Sequence, residues 1–308
     1  MRLRSVVVGA TLVVVPEAAL AERPDIEYGP PSVNDLVFAR QVLDPPPAAF
    51  TAGAPRVAQS RVIYLNKNGV TLIPGNNDAR IDRSSIAKQT TAIPAWTPSA
   101  QTWTETVTCM REMFARWDVT VTDEDPGDVP HIEAVFGGTP SLLGLAPTTA
   151  GIAPFTKDCG IIENAIVLTF TKILPEDAQM VCEIMAQEVA HAYGLDHEML
   201  APDPMSYIDY DGDRAFQDQD AACGEREARP CGIGGNVCRE TQNSVALLGE
   251  RLGRAGSSSS GGSQVPPGSS ISSPLDDEGG CAAGGSAGLL VGLVGVFVRR
   301  LQRRRAHR

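Results

Sequence analysis

Between Gln187 and His197 the chain reads QEVAHAYGLDH, and Met205 and Tyr207 follow closely in DPMSY. Gln187 and His191 are one helical turn apart, so on a helix both leave the same face, with Glu188 displaced just enough to reach a water on a metal held there. Gly194 suits the end of such a helix. Lacking a β-carbon, it can take a positive φ and turn the backbone so that His197 folds back toward His191. Two imidazoles and one further donor make a three-ligand zinc set with a fourth position left for water, whose pKa falls toward about 7 and which Glu188 would deprotonate. The chain has four histidines, and two stand on this template, a placement that a pair of ordinary core histidines leaves unexplained.

The pattern resembles the metzincin zinc metallopeptidases of matrixin or astacin-like type, whose signature is HExxHxxGxxH followed by a Met-turn. Glu188, His191, Gly194, His197 and Met205 fit it, while Gln187 stands where the family has its first histidine. The resemblance implies an α/β domain: a twisted mixed sheet, two packed helices of which the second carries the metal motif, and a disulfide-containing C-terminal subdomain. It also implies His191 and His197 as Zn2+ ligands with Gln187 as the third, Glu188 as catalytic base and Met205 as the floor beneath the metal. Tyr207 takes the place of an oxyanion donor, although a packed aromatic in the turn is the other reading.

The activity implied is hydrolysis of a polypeptide substrate by metal-activated water. An amide oxygen is a poorer zinc partner than imidazole, so the departure at Gln187 weakens the site. The competing reading is therefore a binding or structural module that kept the scaffold and lost catalysis. His131, beside an expected strand, is an alternative source of the missing nitrogen, and His307 lies in the tail. Asp209, Asp211 and Asp213 around Gly212 could hold Ca2+ through oxygen ligands, but the spacing is not that of an EF-hand and an acidic turn accounts for it.

These residues need elements to position them. Ser99 is placed to cap a helix on which Trp103, Val107, Met110, Met113, Phe114 and Trp117 recur at spacings of three and four. A second helix, expected from Pro175 and Glu176 to a stop at Gly194, carries the motif. The segments 119–122, 132–136 and 165–170 read as strands, and RVIYL at 61–65 reads as the first arm of a hairpin running into 70–73. Strands, helix, strands, helix is the order of an α/β layer arrangement.

Residues 1–21 have the basic start, apolar run and small-residue end of a secretory signal peptide. Residues 22–55, rich in proline and alanine, read as an extended lead-in to a domain at 56–250. A Ser/Gly/Pro-rich stalk follows at 251–279. Residues 280–308 place Cys281 before an apolar stretch and an arginine cluster, which resembles a MYXO-CTERM-type sorting tail; a plain tail anchor is the alternative. Either gives an exported domain at the cell surface, in the outer membrane or in the extracellular space, with membrane contact through its C-terminus, and a monomer is the expectation. Cys109, Cys159, Cys182, Cys223, Cys231 and Cys238 form an even set able to make disulfides, with the pairing open. A formal charge of −11 argues against a nucleic-acid partner.

Overall fold

The computed structural model describes residues 23–31, 35–45 and 57–256. The signal peptide, nearly all of the stalk, Cys281, His307 and the sorting tail fall outside these residues. In chain order the elements begin with strands β1 (Ile26–Tyr28), β2 (Val37–Leu43), β3 (Val62–Asn66), β4 (Val70–Pro74), β5 (Arg83–Ser84) and β6 (Thr91–Ile93). Helix α1 (Ala100–Phe114) leads to β7 (Thr120–Thr122), β8 (His131–Phe136), β9 (Thr149–Thr156) and β10 (Ile166–Thr169). Helix α2 (Ala178–Ala192), the short strands β11 (Ala221–Ala222) and β12 (Thr241–Gln242), and helix α3 (Ser244–Leu252) complete the order.

The fold is mixed α/β around a seven-stranded sheet ordered β1-β2-β9-β10-β8-β3-β7. From β7 to β10 neighbouring strands run parallel, β9 is antiparallel to β10, and β2 lies parallel to β9 on its other side. Alternation along the central strands divides the interior. Ile132, Ala134, Phe136 and Val167 enter the cluster that contains the helices. Val135, Ile166 and Leu168 enter the cluster on the opposite face, which the small sheet β5-β4-β6 covers with Leu72 and Ile93. This is the period-two geometry of a sheet buried on both faces.

Both expected helices form. Ser99 Oγ accepts from Thr102 N to cap α1, and Asp177, one residue beyond the expected Glu176 start, caps α2 through Met180 N. Cys109 of α1 is bonded to Cys182 of α2, which fixes the motif helix to its neighbour. Cys159–Cys238 and Cys223–Cys231 complete three disulfides, as the even cysteine set allowed, and are consistent with an oxidising compartment. Among the described residues no helix is long and apolar enough to cross a membrane.

Two expectations change. The hairpin at 61–73 does not form, because both edges of β3 are taken in parallel by β7 and β8. β4 turns away at Gly69 (φ +83) and pairs with β6 and β5. The lead-in at 22–55 supplies β1 and β2 to the main sheet, and the helical domain runs past 250 to the end of α3.

Candidate metal centre

Helix α2 is packed so deeply that every residue from Val181 to Ala192 except Glu183 is buried. It ends where the sequence places the glycine. Gly194 has φ +86, and a β-carbon there would lie 2.3 Å from the carbonyl oxygen of Cys159, so conformation and space both require glycine. Gly194 N donates to His191 O at 2.9 Å and Leu195 N to Ala190 O at 3.1 Å, closing the last turn before the chain reverses. The reversal brings His197 Nε2 to 3.0 Å from His191 Nε2.

The hydrogen bonds of the two rings fix their tautomers. His191 Nδ1 lies 2.7 Å from the carbonyl oxygen of Leu195, which can only accept, so that nitrogen carries the proton. His197 Nδ1 lies 2.9 Å from Glu225 Oε1. Burial works against ionisation of Glu225, but its bonds from His197 and Arg229 and the nearby Arg40 hold its pKa down to about 2, so it too is purely an acceptor. In the neutral rings both Nε2 atoms therefore present lone pairs to each other. A second proton is disfavoured: burial, then the neighbouring His197, depresses His191 well below the usual range, and burial followed by Arg40 brings His197 to about 4. Two buried lone pairs at this separation suit a shared metal ion, with each ring steadied from behind by its Nδ1 partner.

The other motif residues gather nearby. Both carboxylate oxygens of Glu188, the Tyr207 hydroxyl and Gln187 Nε2 are buried without a hydrogen-bond partner. Orphaned polar atoms are costly in an interior, and the Glu188 carboxylate and Tyr207 hydroxyl are groups that a ligand at this site could satisfy, whereas Gln187 Nε2 is a donor and does not itself suit a cation. Burial pushes Glu188 and Tyr207 well above their ordinary values. The Tyr207 ring stands edge-on to His197 at 4.6 Å. Met205 is fully buried in the main core. Gln187 lines a cavity of about 200 Å³ with Ile184, Ser206 and Tyr207.

The remaining candidates lie elsewhere. His131 Nδ1 donates to Val129 O at 2.7 Å and the ring packs against Tyr64, so it does not join the pair. Asp209, Asp211 and Asp213 are exposed and fall outside every described group of carboxylates, histidines and cysteines close enough to share an ion. One such group contains Cys223 and Cys231, which are bonded to each other. The second, Asp196 with His197 and Glu225, is filled by arginines: Asp196 pairs with Arg40 and, at 2.7 Å, with Arg229.

Asp196, Glu225, Arg229 and Arg40 are the residues that sequence reasoning missed. Asp196 lies inside the motif, and its carboxylate also accepts from the backbone N–H of His197 at 2.8 Å, fixing the main chain there. Glu225 and Arg229 share a loop closed by Cys223–Cys231, where charged residues between paired cysteines were the available signal. Arg40 had none, since it reaches Asp196 from a segment read as lead-in. No family model matches the sequence, and no curated protein or solved structure matches it.

Proposed function

We propose that the chain is a zinc-dependent peptidase of metzincin type that works outside the cytosol. The observation that carries the reading is the His191–His197 pair, whose Nε2 lone pairs face each other at 3.0 Å with both Nδ1 protons committed elsewhere. His191 and His197 would hold the ion, with the Gln187 amide oxygen as the third donor, a neutral set. When bound, zinc would supply a water made acidic, its pKa brought toward about 7.

The chain's own groups handle the proton and the charge. Glu188, its carboxylate unpartnered and its pKa raised by burial, is suited to take a proton from water and return it to the departing amine. Tyr207 stays protonated, and its unpartnered hydroxyl is available to donate to an oxyanion. The three disulfides, the signal-like N-terminus and the tail support export and display at the surface.

Gln187 favours a second reading, a displayed scaffold with a decayed centre, because its amide nitrogen has no partner and amides bind zinc poorly. Zinc competition against a chromophoric chelator, and the visible spectrum of the cobalt-loaded protein, separate the two. One equivalent bound by wild type and lost in His191→Ala and His197→Ala supports the metal centre. Binding that appears only in Gln187→His supports the scaffold.

A further inference from the structure

We propose that the β1–β2 hairpin is a built-in closure of this site, latched by Arg40, and that a polypeptide enters by taking the place of β2 along β9. The proposal rests on the peptidase reading for what enters, and on the following geometry for the closure itself.

β2 pairs with β9 from Val37 to Leu43, against Thr149 to Thr156. All eight residues of β9 are buried, and without β2 its outer side would be an unpaired strand edge, the surface on which an extended peptide adds as a further strand. The hairpin also covers the reacting groups. Phe38 stands edge-on to Tyr207 at 5.3 Å, and Gly29 lies so close over the Tyr207 hydroxyl that a β-carbon there would come within 2.3 Å of it. Leu36 and Phe38 wall the cavity beside Gln187. The Tyr207 hydroxyl is thus covered by the hairpin, and one wall of the cavity beside Gln187 is made by it.

Arg40 fastens this cover. It is 1% exposed on a strand that otherwise could slide or peel, and its guanidinium pairs with Asp196, with Glu27 at 2.7 Å and with Glu225 at 3.3 Å, over the Phe155 ring. Asp196 and Glu225 are the residues that orient His197, so the latch closes on the supports of the site.

Hydrogen–deuterium exchange on the full chain tests the closure, with β10 as internal reference. In Arg40→Met, amides of residues 37–43 and 149–156 should exchange about tenfold or more faster while residues 166–169 stay protected, since a broken buried pair opens its segment locally. Ala39→Pro provides a second route if Arg40→Met fails to fold. Odd-numbered residues of β2 face β9, because Val37 N donates to Thr148 O and Leu43 O accepts from Lys157 N, so the proline removes a donor from that pairing. A synthetic peptide of residues 35–45 should restore protection of residues 149–156 in Ala39→Pro, and the same peptide carrying Met at position 40 should not. Unchanged exchange in both variants, or equal rescue by both peptides, overturns the latch. Casein cleavage by the zinc-loaded variants is read separately: opening with no cleavage leaves the closure standing and removes the peptidase reading.

Discussion

Gly151 of β9 and Glu188 of α2 are in such close contact that a β-carbon on the glycine would lie 2.4 Å from Glu188 Oε1. The carboxylate is thus aimed by the absence of a side chain on the strand opposite. Gly151→Ala should displace Glu188 without touching either histidine, lowering kcat/KM by about 10–100-fold while zinc affinity holds, since small misplacements of a catalytic group are costly. Paired chelator competition and peptide kinetics on the open form check this.

Glu188 itself is kept at a cost in stability. Its carboxyl is fully buried and burial raises its pKa, so Glu188→Gln, which has no proton to lose, should stabilise the metal-free protein at neutral pH, measured by urea unfolding. The same substitution should lower peptide hydrolysis by about 10²–10⁴-fold. Stability that falls instead would mean the carboxyl has a partner in solution.

Glu225→Gln keeps the size of the side chain but removes the charge that fixes the His197 tautomer. Zinc affinity should drop by about 10–100-fold, the usual effect of losing a partner behind a ligand. Arg229→Gln, which leaves the His197–Glu225 bond in place, should cost less in the same chelator competition.

The turn that carries Met205 rests on two buried acids. Burial, then the charge of Asp203, raises Glu198, and burial raises Asp203. Because the folded pKa values lie above the unfolded ones, the folded state holds the extra protons, and stability present below the ordinary carboxylate range is lost as pH rises through neutrality. Thermal melts of Glu198→Gln should show a flatter decline over that rise than wild type.

The motif was legible because its parts are local. Spacing along one helix sets the face of Gln187 and His191, and one glycine sets the reversal to His197. The supports were not, because Arg40 and Asp196 are 156 residues apart and only the sheet brings them together. Strand β9 was hidden by Gly151 and Pro154, which read as breakers, while its complete burial removes the alternation that marks a half-exposed strand. β2 was hidden by the opposite signal, since Arg40 and Gln41 are polar residues placed inside. The expected hairpin at β3 failed for a related reason: the turn chemistry was correct, but long-range parallel partners had claimed both edges.

The loop closed by Cys223 and Cys231 carries the carboxylate behind His197 and the arginine that steadies it. A copy of this chain held in a reducing compartment would lose the Cys109–Cys182 tie between α1 and α2 and lack a stiff mount for that carboxylate. On the peptidase reading proposed above, competence of the centre is thereby tied to a compartment where thiols are oxidised.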